Sequence, residues 1–207
     1  MARFTDDELM RKVQEGFIVE SEADMTETYK KALITQLTVQ GDTELMSAPA
    51  YYMATKDAPS TNTMVSATAI IQDEMGHANI AYRLLEDLGV DRDELLYERP
   101  PEKFKNPYGF DQPLENWAEL VVANGLYDRA GITLLGDVHR NTSYGPLKRG
   151  LVKVGMEENF HLRWLAPGRR AFQFWRGFLR RGRDFFRLRR CWLCRGLLCI
   201  GRNSWNQ

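Results

Sequence analysis

The chain has 207 residues, 28 Lys+Arg against 28 Asp+Glu and a formal net charge of +0. That length suits one domain with a sizeable core, and the lack of any cysteine before Cys191 excludes a disulfide-built fold for most of the chain. The zero charge is a cancellation: residues 1–163 hold 27 acids against 17 bases, whereas 164–207 hold eleven arginines, no lysine and one acid, Asp184.

The N-terminus, with Asp6, Asp7, Glu8 and Glu15 close together, lacks the basic start and apolar run of a signal peptide. No apolar stretch approaches the ~18 residues a membrane helix needs, so a cytoplasmic protein without membrane contact is expected. From Asp24 to Arg163 the pattern is helical, and β-branched runs of strand length are missing. A first long helix is predicted from Thr26 to Met46, with Asp24 as its N-cap and Pro49 just beyond its end. A second starts at Ser60, Thr61 and Asn62 and continues to Leu88, where Gly89 supplies a left-handed cap. Residues 91–113, with Pro100, Pro101, Pro107 and Gly109, read as a long connection holding a short helix near its start. A third long helix is predicted from Leu114 to Val138, and a fourth from Pro146 to Arg163, after the turn Asn141-Thr142-Ser143-Tyr144-Gly145-Pro146. The fold class is therefore all-α: two helical hairpins joined by a long crossover, the connectivity of a four-helix bundle. Residues 1–163 form this domain, and 164–207 are a second compositional unit.

The second helix contains Glu74-Met75-Gly76-His77 and the fourth contains Glu158-Asn159-Phe160-His161. Residues three apart lie on one helix face, so each Glu-x-x-His presents a carboxylate and an imidazole to one point. A two-metal site in a bundle takes one further carboxylate from each remaining helix. The first helix offers Glu44, on the face of Leu33, Leu37 and Gly41, and it precedes Glu74 by 30 residues. The third offers Asp128, on a face with Val121, Asn124, Ile132 and Leu135, and it precedes Glu158 by 30 residues. Equal spacing in both hairpins returns the chain to the same level, as a pseudo-symmetric site requires. Glu119 and Asp137 each lie nine residues from Asp128, on the opposite side of the helix, and periodicity leaves either open as a replacement for it. Four carboxylates crowded into a bundle core repel one another and take up protons unless cations neutralise them. Carboxylate oxygen with imidazole and no thiolate suits a pair of iron ions, or manganese, better than structural zinc.

The segments Gln72-Asp73-Glu74-Met75-Gly76-His77, Val138-His139-Arg140-Asn141-Thr142-Ser143-Tyr144-Gly145-Pro146 and Met156-Glu157-Glu158-Asn159-Phe160-His161 resemble the catalytic subunits of ring-1,2-phenylacetyl-CoA epoxidases, a ferritin-like di-iron family. The resemblance covers roughly residues 24–163 in the expected order. It implies a ferritin-like bundle with two irons, whose ligands by position are Glu44, Glu74, His77, Asp128, Glu158 and His161. Asp128 gains support over Glu119, because Leu126-Tyr127-Asp128 sits where the family carries its aspartate. The implied activity is a monooxygenase: with electrons from a separate reductase and with O2, one oxygen atom enters the aromatic ring of phenylacetyl-CoA and the other leaves as water. A related non-catalytic helical subunit is the implied partner in a hetero-oligomer. Two other readings stand beside this one: a ferritin-like protein of other chemistry, such as iron oxidation or peroxide reduction, and a non-catalytic bundle subunit. The chain departs from the family at Ile70, where a lysine is expected one turn before Glu74, and again from Trp164 onward.

The stretch 164–207, rich in Arg, Trp, Cys and Gly, has the composition of a GC-rich gene read out of frame. Its arginines and aromatics would otherwise suit a nucleic-acid-binding arm or a basic amphipathic helix on an anionic membrane. Neither partner is expected. Cys191-x-x-Cys194 has no histidine nearby, and Cys199 stands at the wrong spacing for zinc.

Overall fold

The computed structural model describes residues 3–165, with side chains as far as Leu162. Within them the chain forms α1 (Asp6–Gln14), α2 (Glu27–Ala54), α3 (Thr61–Asp87), α4 (Trp117–Asn141) and α5 (Gly145–Leu165). The β-type pairing among the described residues is one isolated parallel bridge, Val19 to Tyr144. The all-α expectation is met. α2 packs along α3 and α4 along α5, and the two hairpins meet mainly through α3 and α5. Together they make a ferritin-like four-helix bundle. The readings weighed for 164–207, among them the argument against zinc at Cys191 and Cys194, lie outside the described residues apart from the end of α5.

The structure departs from the sequence reading at both ends of α2, at the start of α4 and in one additional helix. The cap of α2 lies two residues after the expected one, because Thr26 rather than Asp24 accepts the free N–H of Tyr29 (3.2 Å). The helix also runs through Pro49 to Ala54. A proline inside a helix costs ~3 kcal/mol, but Ala48, Ala50, Tyr51 and Ala54 are buried in an apolar cluster that exists only if the helix continues. Tertiary packing outweighs the local stop signal. α4 starts at Trp117 rather than Leu114, since Asn116 caps it by accepting from the Glu119 N–H (3.1 Å). An additional helix, α1, precedes the bundle, with a reciprocal capping box between Thr5 and Glu8. Its Leu9 enters the core. The end of α3 agrees with expectation: Gly89 takes φ +79°, a left-handed conformation that favours glycine.

The Thr-Ser-Tyr-Gly-Pro turn between α4 and α5 has a structural task. The Val19 N–H donates to Ser143 O (2.8 Å) and the Gly145 N–H to Val19 O (2.9 Å). Tyr144 is buried in the core, and the Tyr29 hydroxyl lies 2.9 Å from Ser143 Oγ. The turn thereby ties the N-terminal segment and the start of α2 to the second hairpin.

The long crossover is held at Asp42, which is fully buried on α2. Its carboxylate accepts from Arg99 Nη1 (2.8 Å) and Nη2 (2.6 Å), from the Tyr82 hydroxyl (2.7 Å) and from the Lys105 N–H (2.7 Å). The Arg99 guanidinium also stacks 4.0 Å from the Phe104 ring centre. Removing one partner of such a buried pair leaves an uncompensated charge and costs about 3–5 kcal/mol. Asp42→Ala should therefore lower the denaturation free energy by about that amount, and a loss below about 1 kcal/mol in a urea titration would show that the crossover is held elsewhere.

Candidate metal centre

The apolar core is interrupted at one level. On α2, Glu44 falls between Leu37, in one apolar cluster, and Ala48, in the other; on α3, Glu74 and His77 fall between Ile71 and Ala78 in the same way. Asp128 on α4 and Glu158 and His161 on α5 close the ring at that level. All six are buried. Donor atoms of Glu44, Glu74, His77 and Glu158 lie within 4.8 Å of one another, as do those of Glu74, Asp128 and His161. Glu74 is common to both groups. His77 Nδ1 stands 3.6 Å from Glu44 Oε2 and 3.5 Å from Glu158 Oε1; His161 Nδ1 stands 3.5 Å from Glu74 Oε1 and 3.7 Å from Asp128 Oδ2. The two rings are 5.9 Å apart between centres.

The structure thus brings together all six residues singled out in the sequence. It leaves both alternatives on α4 outside: Glu119 takes part in the helix N-terminus, accepting from the Glu115 N–H (2.9 Å), and Asp137 is exposed beside Arg140.

Two acids to which the sequence reading assigns no role complete the arrangement. Glu157 Oε2 lies 3.1 Å from His77 Nε2, and Asp73 Oδ2 lies 3.2 Å from His161 Nε2. Each immediately precedes a cluster glutamate, and each serves the histidine of the opposite helix. Their signal in the sequence is the pair of doublets Asp73-Glu74 and Glu157-Glu158. A carboxylate accepting from Nε2–H fixes the neutral tautomer with the Nδ1 lone pair free, as metal ligation by histidine requires. Lys153 in turn holds Glu157, with its Nζ 2.5 Å from both carboxylate oxygens.

Known proteins share this sequence pattern. The family described as phenylacetic acid catabolic protein matches residues 5–167. The chain belongs to that family. It is also 30% identical over 154 residues to one of the subunits of 1,2-phenylacetyl-CoA epoxidase from Escherichia coli (strain K12), an alignment covering 74% of this chain and 49% of that protein. The chain therefore spans about half the length of this relative. Among the described residues no helix is long and apolar enough to cross a membrane.

The donor set fits a metal pair on the chain's own evidence. His77 Nδ1, His161 Nδ1 and Glu158 Oε2 are buried without a hydrogen-bond partner. Orphaned buried polar atoms cost about 1–3 kcal/mol each unless something occupies them, and all three residues that carry them belong to the converging groups. Among the described residues no lysine or arginine forms an ion pair with the six. Ile70, at the position where a lysine was expected, is buried in the apolar cluster instead.

Without cations the carboxylates hold protons. Burial, reinforced by neighbouring carboxylates, pushes Asp128 and Glu158 up to about 9; burial, and to a lesser degree Glu158, pushes Glu44 up to about 7. Burial followed by the Glu44 charge drives Glu74 well above the usual range, and burial lowers His161. These carboxyl values exceed the unfolded ones of ~4, so the metal-free fold binds more protons than the unfolded chain. Their stabilising contribution is complete below about pH 4 and is lost as pH rises through 7 and then 9. The metal-free chain should melt at steadily lower temperature from about pH 5 to about pH 9, and a divalent metal should restore the loss at the alkaline end by replacing the protons. Thermal scans of both forms across that range check this; a metal-free melting temperature that does not fall would contradict the assigned cluster.

Proposed function

We propose that this chain is a di-iron oxidoreductase subunit of phenylacetate catabolism that inserts one atom of O2 into the aromatic ring of phenylacetyl-CoA, giving the ring-1,2-epoxide. The observation that carries the reading is the pair of unpaired, buried Nδ1 atoms aimed into a four-carboxylate cluster, in a chain whose family and relative belong to phenylacetate chemistry. In this reading Glu44, Glu74, His77, Asp128, Glu158 and His161 would hold the two irons. Bound there, the pair would supply the redox chemistry needed to reduce dioxygen and transfer one of its atoms. Oxygen and nitrogen donors without thiolate suit iron and manganese alike, and the oxygen insertion proposed here is the reason iron is the metal of this reading.

The rest belongs to the chain's own side chains. Asp73 and Glu157 accept the Nε2 protons and hold both imidazoles in the ligating tautomer. The two apolar clusters on either side of the donor set exclude bulk water, so charge placed there is felt strongly. Electrons come from a separate reductase, and a related non-catalytic helical subunit completes a hetero-oligomer. An acyl-CoA substrate sets the reaction in the cytoplasm.

The test is product analysis with the iron-loaded chain, phenylacetyl-CoA, an electron source and isotope-labelled dioxygen. The expected product is a CoA ester carrying one labelled oxygen, and Glu74→Ala should abolish it. Dioxygen consumption with no labelled ester would contradict the proposal and favour iron oxidation or peroxide reduction.

A further inference from the structure

α4 and α5 leave a cleft of about 490 Å3 between them. That volume lies in the range of small-molecule sites, about 300–1,000 Å3. Two glycines make the room: Gly136 on α4 and Gly155 on α5 carry no side chain into it, and a Cβ on Gly155 would meet nothing within 4 Å. Glu158, whose carboxylate belongs to the donor cluster, forms part of the wall, so the cleft reaches the level of that cluster.

Its polarity changes along its length. Ile132, Leu135, Leu151, Val152 and Met156 make the walls apolar. Val152 and Met156 are nevertheless 52% and 65% exposed, and large apolar side chains left in the open together mark a surface that something else covers. Toward the turn between the helices stand His139 and Arg140, about 12 Å from Ile132 at the rise of an α-helix. Lys148 lies one turn before Val152 on the same face of α5 and forms no ion pair among the described residues. Arg140 meets Asp137 at 3.5 Å, but both side chains are about two-thirds exposed, so the pair is weak and leaves the guanidinium available to a stronger anion. Among the described residues that line the cleft, Glu158 is the one acid.

We propose that this cleft binds the acyl-CoA, with the aromatic acyl group beside Gly155 and Glu158, the pantetheine arm along Leu135 and Val152, and the phosphates at Arg140, His139 and Lys148. The inference rests on the phenylacetyl-CoA reading above and adds where that substrate lies and which residues select it. Charge complementarity sets the direction. A CoA thioester of an aromatic acid is apolar at its acyl end and carries its negative charge at the other, which is the order of the cleft; the reverse order would set phosphates against the carboxylate cluster. Gly155 is then the position that determines acyl specificity, and Arg140 positions the phosphates.

The experiment is calorimetric titration of phenylacetyl-CoA and of free coenzyme A into the full chain, without reductant so that no turnover intervenes, with a melting temperature for every variant. The unaltered chain should bind phenylacetyl-CoA at least about tenfold more tightly than coenzyme A. Gly155→Leu should erase that preference without lowering the melting temperature, because a good helix former replaces a helical glycine and the added side chain has open space. The double variant Arg140→Ala, Lys148→Ala should weaken both ligands about tenfold and flatten the salt dependence of binding. Leu134→Ala, exposed on α4 outside the cleft, should change neither affinity by more than about twofold. Should Gly155→Leu not fold, Val152→Glu, at an exposed position, puts an acid in the cleft and should cost phenylacetyl-CoA at least about tenfold. A folded Gly155→Leu that keeps the preference overturns the inference and leaves phenylacetyl-CoA as the substrate. A dimer that Val152→Glu dissociates while ligand binding stays unchanged also overturns it, since a second copy then covers this face. An unaltered chain that binds neither ligand overturns the inference and the substrate reading together.

Discussion

Four carboxylates and two imidazoles share the interior of one helical bundle, and their mutual repulsion in a water-poor setting is the constraint on which the rest of the structure depends. With no cation, the only relief is protonation, which is why burial raises Asp128 and Glu158 to about 9 and Glu44 to about 7. Two divalent metals would remove that cost and occupy three orphaned ligand atoms at once. The cluster is thus unfavourable as a purely structural device and sensible as a ligand set.

The frame is built to hold this level of the bundle. One apolar cluster, with α1 and the Val19–Tyr144 bridge, lies on one side, and the cluster of Tyr51, Ile70 and Phe110 lies on the other. Carrying α2 through Pro49 keeps Glu44 and Tyr51 on one continuous element, with Tyr51 reaching Asp128 on α4. The crossover is fixed at Asp42, half a turn before Glu44, through a bidentate arginine and a buried tyrosine. Outside the inner six, the crossed pairing of Asp73 with His161 and Glu157 with His77 ties the two hairpins together through the two buried imidazoles.

Much of this is legible in the sequence. Two Glu-x-x-His segments and two equal spacings of 30 residues identify the six donors, because helix geometry converts spacing into a shared face. Periodicity alone does not settle Asp128 against Glu119, since both faces of α4 carry apolar residues; packing turns Asp128 inward and leaves Glu119 at the helix N-terminus, bonded to the Glu115 N–H. The end of α2 is hidden because Pro49 is a strong local stop signal, whereas the packing that overrides it is a long-range property. α1 is hidden because a nine-residue amphipathic segment has little intrinsic stability. The outer acids are hidden because Asp73 and Glu157 each act on the partner helix, 88 and 80 residues away in sequence. Their position directly before the cluster glutamates is nevertheless a readable sign.

The central claim, that this carboxylate and imidazole cluster is a two-metal ligand set, is tested most directly by iron content. After anaerobic reconstitution with ferrous iron and removal of unbound metal, the chain should retain about two irons, falling sharply in Glu74→Ala, whose carboxylate both halves share. Retention of fewer than about one iron per chain would contradict the account.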